Sequence, residues 1–285
     1  MTRYLAITPV RDEERFLPAL IESMRAQSVL PACWIIVNDG STDRSAEIIE
    51  SAARECAWIK PRQLLRGGDR KSGGESIIMQ FIPDELLRGF EFVARFDADL
   101  EFGPDYIELL FREFARDPSL GIASGSLMEP SANGWEEHVT PIYHTRGPSK
   151  FYSRECFVAI GGLESGLGWD SIDEARAMMA GYRTRNFRHI KAFPKRIGGS
   201  ARGLWRGRME AGHAAFAAGY SPSFMLARAI WQGLSPPFGM GGAFMLVGFV
   251  AATLKGEHRL ADRALIRFIR TQQRRRLMLR ESLWR

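Results

Sequence analysis

A strand that ends in two carboxylates is predicted by nine consecutive residues, Glu91-Phe92-Val93-Ala94-Arg95-Phe96-Asp97-Ala98-Asp99. Most of this run favours strand structure, and a short apolar run is typical of a buried strand. Side chains at positions i and i+2 of a strand point to the same side, so Asp97 and Asp99 can face one hard divalent cation. An Asp-x-Asp triplet is also typical of an acidic turn, and the rest of the chain must decide between the two.

Two strand-helix units precede this stretch. Residues 3–8 alternate in polarity and stop at Pro9, and apolar residues recur at helical spacing over residues 13–25. A second apolar run, residues 34–37, ends in the polar segment 38–43. Strands that alternate with helices predict an α/β fold with a doubly wound, mostly parallel sheet covered by helices on both faces. In such sheets the ligand site lies at the carboxyl ends of the strands.

Polar residues stand at these predicted strand ends, namely Thr8, Asp39, Asp97 and Asp99. A carboxylate such as Asp39 can accept the imide N–H of a uracil ring, and a group left unpaired by the wrong base costs about 1–3 kcal/mol. The alternative is that Asp39 forms an Asx-turn or caps the next helix, a role that Ser41 or Asp43 can fill equally well.

Three ordered segments resemble the signatures of family-2 glycosyltransferases of the GT-A fold. They are Ile7-Thr8-Pro9-Val10-Arg11-Asp12-Glu13-Glu14, Ile36-Val37-Asn38-Asp39-Gly40-Ser41-Thr42-Asp43 and Phe96-Asp97-Ala98-Asp99. The resemblance covers residues 3 to about 190. It implies an inverting transfer of a sugar from a nucleotide-diphosphate donor, with a UDP-sugar expected, and dependence on Mn²⁺ or Mg²⁺.

The resemblance also implies roles for single residues. Thr8, Pro9, Arg11 and Glu13 of the first loop would line the base and ribose, and Asp39 would bind the base. The triplet Asp97-Ala98-Asp99 would meet the ribose, the metal and the diphosphate, with Asp97 and Asp99 as the metal ligands.

A glycine-rich segment, residues 65–75, lies between the second and third signatures and contains Arg70 and Lys71. Exposed backbone amides and these two cations would suit a diphosphate or a ribose edge. A loop with solvated charges explains the segment equally well, because it lacks the Gly-Lys-Ser/Thr ending of a phosphate-binding Walker loop.

The acceptor side is predicted from the segment that follows residue 150. Ser153 can cap a helix that ends at Gly161-Gly162, and the family has a similar helix followed by two glycines near its acceptor site. Trp169 is placed to stack on an acceptor sugar ring, or it is a core residue.

The catalytic base is expected on the next helix. In the family an Asp ahead of this helix is the base, and it matches Asp170, but Trp169 stands where a Glu is usual. The base is therefore either Asp170 or Asp173. Such a base would take the proton of an acceptor hydroxyl. The spacing of Ser171 and Glu174 predicts a capping box at the start of this helix.

The charge divides the chain into an acidic part and a basic part. Residues 1–182 hold 19 Lys and Arg against 29 Asp and Glu, a net charge of −10, and residues 183–285 hold 20 against 4, a net charge of +16. We expect a catalytic domain over residues 1–215 and a helical membrane-association region over residues 216–285. The basic part would meet an anionic membrane surface rather than nucleic acid, or it is a solvated face.

The C-terminal part is apolar as well as basic. Residues 229–254 carry no charge, and Pro236-Pro237 interrupts this run, which leaves the 17 residues 238–254 against the ~20 that a span requires. We expect helices that lie in the membrane interface or form a shallow hairpin, with Arg263, Arg267, Arg270 and Arg274 facing headgroups. Helices packed on the catalytic domain are the alternative.

These features predict an enzyme on the cytoplasmic face of the bacterial inner membrane, peripheral or monotopic, that uses a lipid-linked acceptor in surface or exopolysaccharide synthesis. The three cysteines lack the spacing of a disulfide framework or a zinc site, which fits a reducing compartment. A polyprenyl-phosphate glycosyltransferase is the alternative acceptor chemistry. A sugar nucleotidyltransferase lacks support because its glycine-rich opening loop is absent, and a non-catalytic nucleic-acid or membrane-binding protein leaves the three signatures unexplained.

Overall fold

A computed structural model describes residues 2–64, 81–131, 134–163, 168–196, 204–234 and 238–284. In this part of the chain, nine strands form one mixed sheet at the centre of the molecule. Helices cover both faces of the sheet, and a group of C-terminal helices packs beside it.

The first half of the chain consists of strand-helix units with parallel strands. Its elements are β1 (Tyr4–Val10), α1 (Leu17–Arg25), β2 (Cys33–Asn38), α2 (Ser45–Glu55), β3 (Ile59–Gln63), α3 (Asp84–Leu87) and β4 (Phe92–Phe96). The strands lie in the order β3-β2-β1-β4, each parallel to its neighbour, so all four end at one edge. The helix expected over 13–25 begins at Leu17, with Pro18 in its first turn, where a proline is tolerated.

The second half of the sheet mixes strand directions. Its elements are β5 (Leu100–Phe102), α4 (Tyr106–Arg116), β6 (Leu120–Ser131), β7 (Gly134–Glu137), β8 (Ser149–Ser153), α5 (Arg154–Ala159), α6 (Trp169–Met179) and β9 (Arg183–Pro194). The order continues from β4 as β8-β6-β9-β5, and β7 pairs with β6. Because β8 is antiparallel to both β4 and β6, and β9 is parallel to β6, β9 ends at the same edge as β4.

Alternate residues of the central strands enter two separate apolar layers. In β1, Tyr4 and Ala6 belong to the layer that contains α1, α2 and α4, whereas Leu5 and Ile7 belong to the layer on the other face. A sheet that is buried on both faces explains why its strands read as continuous apolar runs. The expected doubly wound α/β fold is confirmed, with parallel pairing concentrated in the first half.

Four helices follow the sheet. They are α7 (Leu204–Ala217), α8 (Pro222–Gly233), α9 (Met240–Lys255) and α10 (Arg263–Leu277). A third apolar cluster joins them to α6, since Ile172 and Met178 pack there with Phe249 and Leu265. The boundary expected between residues 215 and 216 therefore falls inside α7, and α8, α9 and α10 share an apolar cluster with α6.

Close backbone contact fixes the crossing of α7 and α9. A Cβ atom on Gly212 would lie 2.1 Å from the carbonyl oxygen of Met245, and one on Gly248 would lie 2.1 Å from that of Met209. Only glycine fits at these two positions. Within the described ranges, no helix is long and apolar enough to cross a bilayer.

Candidate active site

The predicted acidic residues meet at the shared edge of the sheet. Arg11 and Glu13 follow β1, Asp39 follows β2, and Asp97 and Asp99 follow β4. The carboxyl ends of parallel strands meet at such an edge, so residues far apart in the sequence come together there.

The loop after β2 holds the loop after β1 in place. The Asp12 carboxylate accepts a hydrogen bond from the backbone N–H of Thr42 at 2.7 Å, and the Ser45 hydroxyl accepts one from Glu13 at 2.8 Å. Asp43 accepts from the backbone N–H groups of Glu14 and Ser45, both at 2.9 Å. Asp43 therefore fills the turn role that was the alternative expectation for Asp39.

Asp39 faces the site from the second loop. Its side chain is 17% exposed, and Arg11 Nη1 lies 3.7 Å from its Oδ2. Burial raises the pKa of Asp39 above its ordinary value, and the charge of Arg11 opposes this shift. A half-buried carboxylate beside one cation is suited to accept a hydrogen bond from a ligand.

Two residues expected in the donor site have their side chains in the core. Thr8 is fully buried, and its hydroxyl accepts a hydrogen bond from the indole N–H of Trp34 at 3.0 Å. Ala98 is 4% exposed and packs in an apolar layer. These side chains do not line the site, whereas Pro9 is half-buried at the end of β1. Arg70 and Lys71 lie outside the described residues.

Arg95 joins Asp97 to the neighbouring loop. Its Nη1 lies 2.8 Å from Asp97 Oδ1 and donates to the carbonyl oxygen of Gly147 at 2.7 Å. Its guanidinium also lies 4.7 Å from the centroid of the Trp169 ring. Arg95 is buried, so this cation fixes the relative positions of β4 and the start of α6.

Asp99 is paired with an arginine that follows β9. Arg196 Nε donates to Asp99 Oδ2 at 2.9 Å, and Arg196 Nη2 donates to Glu13 Oε1 at 2.5 Å. Burial raises the pKa of Asp99, and the charge of Asp97 raises it further, while Arg196 opposes both effects. Burial likewise raises the pKa of Glu13 against the effect of Arg196.

The donor set at this edge fits a hard divalent cation that arrives with phosphates. Asp97 and Asp99 offer carboxylate oxygens, the ligand type that Mg²⁺ and Mn²⁺ prefer. Glu13 Oε2 is buried and has no hydrogen-bond partner among the described residues. In that part of the chain, no group of three His, Cys, Asp or Glu can hold a metal by itself. A Mg²⁺ site built on one or two carboxylates is completed by substrate phosphates.

Asp173, one of the two candidate bases, is a buried structural residue. Lys150 Nζ donates to its carboxylate oxygens at 2.7 and 2.9 Å, and the Tyr152 hydroxyl donates to Oδ2 at 2.5 Å. Burial and the like charge of Glu174 raise the pKa of Asp173 to about 6, against the attraction of Lys150. Burial opposes the charge on Lys150, but Asp173 and Glu174 together raise its pKa.

The expected capping box at Ser171 and Glu174 is wrong. The helix α6 begins at Trp169 after Gly168, which has φ 84°, so Ser171 already lies inside the helix. The Glu174 carboxylate instead accepts hydrogen bonds from the backbone N–H and hydroxyl of Thr145, both at 2.6 Å. These two hydrogen bonds hold the loop before β8 against helix α6.

Asp170, the other candidate base, is half-buried at the start of α6. Burial would raise the pKa of Asp170, but Lys150, His144, Arg146 and Arg228 surround it, and the pKa lies below its ordinary value. Asp170 is thus ionised at neutral pH, as a general base must be.

The three residues expected at the acceptor site have different surroundings in the structure. Trp169 is half-buried, with Arg95 over its ring and Lys150 Nζ 5.2 Å from the ring centroid. Gly161 and Gly162 have φ of 75° and 76° and end α5, as the predicted helix end requires, and Ser153 caps its start. Helix termination is a sufficient structural reason for the two glycines.

Arg95, Lys150 and Arg196 were given no individual role in the site from the sequence, and Glu174 was expected only in a capping box. Arg196 belongs to a segment, residues 183–209, in which nine cations occur without an acid, and this segment favours contact with phosphate. Lys150 gave a weaker signal, because it is one charged residue within the otherwise uncharged strand β8.

Comparisons with known proteins agree with this geometry. The model of Glycosyl transferase family 2 matches residues 5–163, more than half of the chain. The putative glycosyltransferase EpsH of Bacillus subtilis (strain 168) is 26% identical over 178 residues, which are 62% of this chain and 48% of EpsH. The chain thus spans about half the length of this curated relative.

Two solved structures have a similar fold. The mannosyltransferase PcManGT from Pyrobaculum calidifontis, in complex with GDP-Man and Mn²⁺, is 18% identical with a TM-score of 0.58, over 90% of this chain and 76% of that one. Residues 1–349 of S. aureus TarS, in complex with UDP-GlcNAc, are 12% identical with a TM-score of 0.57, over 92% of this chain and 94% of that one. With the family match, these likenesses establish that the chain belongs to glycosyl transferase family 2 and has the GT-A fold.

Proposed function

We propose that the protein is an inverting glycosyltransferase that moves a sugar from a nucleotide-diphosphate donor to a lipid-linked glycan in surface or exopolysaccharide synthesis. The observation that carries this proposal is the position of Arg95. It binds Asp97 at the donor side, and its guanidinium packs on Trp169, the residue before Asp170. Arg95 thus connects Asp97, which is suited to the leaving-group side, with the residue that precedes Asp170, which is suited to the attacking side.

The donor side is supported by the relatives and by Asp39. PcManGT binds GDP-Man and TarS binds UDP-GlcNAc, so neighbours of this fold take nucleotide sugars. Asp39 would select the base by accepting its imide N–H, and we propose a UDP-sugar. Arg11 and Glu13 would line the ribose edge of the same pocket.

Asp97 and Asp99 would hold a Mn²⁺ or Mg²⁺ ion, as the Mn²⁺ complex of PcManGT supports. When bound, the ion neutralises charge on the departing diphosphate. The contribution of the chain itself is to supply the carboxylates from the rigid end of β4 and to hold Asp97 through Arg95.

Asp170 is the proposed base for the acceptor hydroxyl. Its carboxylate would take the hydroxyl proton as the oxygen forms a bond to the anomeric carbon, and the bond from that carbon to the diphosphate oxygen breaks. A hydroxyl has a pKa far above neutrality, so a carboxylate that is ionised and reachable accelerates this step by ~10²–10⁴. Asp173 is unsuited because Lys150 and Tyr152 already occupy its oxygens.

A donor panel tests this function. Hydrolysis or transfer is scored for UDP- and GDP-sugars with Mn²⁺, with Mg²⁺ and with excess EDTA, for the intact protein and for Asp99→Asn. We expect turnover of a UDP-sugar that requires the ion and is abolished in the variant, because the carboxamide keeps the shape of Asp99 and loses its charge. Full turnover in EDTA would exclude the metal, and no turnover of any nucleotide sugar would contradict the function.

The C-terminal helices are proposed to attach the enzyme to the cytoplasmic face of the membrane. Helix α8 exposes Leu226, Ile230 and Leu234, and α9 exposes Val247, Val250 and Leu254, each side chain more than half exposed. In both helices the spacing places these residues on one face. Arg263, Arg267, Arg270 and Arg274 are exposed on α10, as the expected basic stripe requires. Apolar helix faces with nearby cations are typical of interfacial attachment to anionic lipid.

Vesicle sedimentation tests the attachment. The double variant Ile230→Asp/Val247→Asp should no longer sediment with phosphatidylglycerol vesicles, because each charge enters an exposed apolar face without disturbing the core. Val158→Asp is the matched control, since Val158 is 59% exposed on α5 of the catalytic part. Equal sedimentation of all three proteins would show that α8 and α9 do not bind lipid. Deletion of residues 223–285 is unsuitable, because it would expose the apolar face of α6.

A further inference from the structure

Arg196 occupies a position at which a cation is needed in the donor site. The strand β9 ends at the same edge as β4, and this brings Arg196 to Asp99 and Glu13, which are 97 and 183 residues away in the sequence. Its guanidinium also packs 5.1 Å from the ring centroid of Phe16. The side chain of the preceding residue, Lys195, pairs with Glu101, and only its backbone N–H reaches Asp99, at the carbonyl oxygen.

The two carboxylates bridged by Arg196 are poorly solvated. The side chains of Asp99 and Glu13 are each 12% exposed, and Asp97 lies close enough for its charge to raise the pKa of both. Three acids at one edge favour the binding of a cation in every state of the enzyme. In the structure described here, the guanidinium of Arg196 supplies that charge for Asp99 and Glu13.

The guanidinium of Arg196 and a divalent ion would compete for the carboxylate of Asp99. Arg196 Nε donates to Asp99 Oδ2 at 2.9 Å, so that oxygen is already directed at a cation. Like-charge repulsion opposes the binding of a divalent ion beside a guanidinium that remains in place. The side chain of Arg196 is 38% exposed, in contrast to Lys150 at 0%, and it has room to move towards solvent.

We propose that Arg196 is an internal counter-cation of the donor site. It holds Asp99 and Glu13 while no donor is bound, it yields Asp99 to the divalent ion on loading, and it then pairs with the diphosphate of the donor. This inference rests on the proposed function, because it takes the donor to be a nucleoside diphosphate sugar. The planar fork that bridges two carboxylates is equally suited to two phosphate oxygens.

The test compares Arg196→Gln with Lys195→Gln, which removes the same charge from the same strand end without touching Asp99. Binding of Mn²⁺ without nucleotide, which should be weak because no phosphate completes the site, is measured by electron paramagnetic resonance over a wide range of ion concentrations. Binding of UDP, GDP and the corresponding nucleosides at saturating Mn²⁺ is measured by calorimetry. Thermal melting checks that each variant is folded. Arg196→Lys serves as a second variant that keeps the charge but loses the fork.

Arg196 is proposed to compete with the metal ion and to pair with the diphosphate. These two roles predict effects of opposite sign on the affinities for Mn²⁺ and for the nucleoside diphosphate. Arg196→Gln should bind Mn²⁺ about tenfold more tightly than the intact protein, because the competitor for Asp99 is gone, and should bind the nucleoside diphosphate about tenfold more weakly. Binding of the nucleoside should not change, because it carries no phosphate. Lys195→Gln should match the intact protein in all three measurements, and Arg196→Lys should bind the diphosphate with intermediate affinity.

Three results would overturn the inference. Unchanged or weaker Mn²⁺ binding in Arg196→Gln would show that Arg196 does not compete for Asp99. Unchanged diphosphate binding would show that the arginine does not follow the donor. Full diphosphate affinity of the intact protein in EDTA, lost in Arg196→Gln, would show that Arg196 replaces the ion. The failure of the proposed function is distinct, since then the intact protein would bind neither UDP nor GDP while the Mn²⁺ comparison is still measurable.

Discussion

Two clusters of acids and cations lie at the two sides of the site, and they differ in the exposure of the cation. On the acceptor side, Lys150 and Asp173 are both fully buried and hydrogen-bonded at 2.7 Å. On the donor side, Asp99 is equally close to a cation, but Arg196 is 38% exposed at the end of a strand. Both are ion pairs between a cation and a carboxylate. The Lys150–Asp173 pair is fixed in the core, whereas a metal ion can replace Arg196 at Asp99.

This difference separates structural acids from acids available for chemistry. Moving the charge of Lys150 away from Asp173 would leave an uncompensated charge in the core, which no ligand reaches. Moving Arg196 away from Asp99 exposes the carboxylate at an edge where a metal ion and a diphosphate can replace it. An ion pair in a sequence motif is thus informative about function only when the burial of both partners is known.

The largest expected effect is on the buried pair. Lys150→Met should lower the free energy of unfolding at neutral pH by about 3–5 kcal/mol, because it leaves Asp173 and Glu174 buried without their cation. Burial already raises the pKa of Asp173 to about 6. That value holds with Lys150 present, and the pKa of Asp173 should be higher in the variant because the attraction that lowers it is gone. The loss should therefore shrink as the pH falls towards about 6, while Asp173 takes up a proton in the variant, and should level off below that pH. Urea denaturation at two pH values measures both effects.

Lys195→Met is the control for this variant. Lys195 pairs with Glu101 near the surface, so its removal should cost less than about 1 kcal/mol. Equal losses for the two variants would contradict the expectation that a buried cation stabilises the fold more than an exposed one.

A smaller effect is expected in the pH dependence of turnover. Neighbouring cations hold the pKa of Asp170 below its ordinary value, so Asp170 stays ionised at every pH above that value. At saturating donor and metal, kcat should stay level from about pH 8 down to about pH 5. A loss of activity with a midpoint near pH 6 in the intact protein, together with a folded Asp173→Asn that is inactive at every pH, would identify Asp173 as the base instead.

The sheet edge could be predicted from the sequence because strand ends are local features. Apolar runs ending in Asp39 and Asp97 predict both the strands and the position of their carboxylates. The burial of Thr8 was also within reach, since Thr8 alternates in phase with Tyr4 and Ala6, which enter the apolar layer over α1. Thr8 was nevertheless expected in the donor site, because it matches the family signature.

The cations of the site could not be predicted in the same way. Lys150 and Arg196 come from β8 and β9, in the half of the sheet where strand order departs from chain order, and no local pattern specifies their partners. The choice between Asp170 and Asp173 likewise depends on tertiary contacts. Both stand near the start of α6, but the carboxylate of Asp173 accepts from Lys150 and Tyr152, whereas Lys150 donates to the backbone carbonyl oxygen of Asp170.

The most direct test of the account measures kcat and the free energy of unfolding for Asp170→Asn and Asp173→Asn, with the donor identified by the panel. Asp170→Asn should lose ~10²–10⁴ in kcat with donor affinity unchanged, because it removes the base. Its unfolding free energy at neutral pH should fall less than that of Asp173→Asn, because the attraction of neighbouring cations to Asp170 is lost but the hydrogen bonds of Lys150 and Tyr152 to Asp173 remain.

Asp173→Asn should lose stability, because it leaves Lys150 buried without its main partner, and should keep kcat while folded. A stable Asp170→Asn with full kcat, together with a folded Asp173→Asn that has lost it, would contradict the assignment of the base. Full kcat in both variants on the lipid acceptor would show that the acceptor arrives ionised, as a polyprenyl phosphate does.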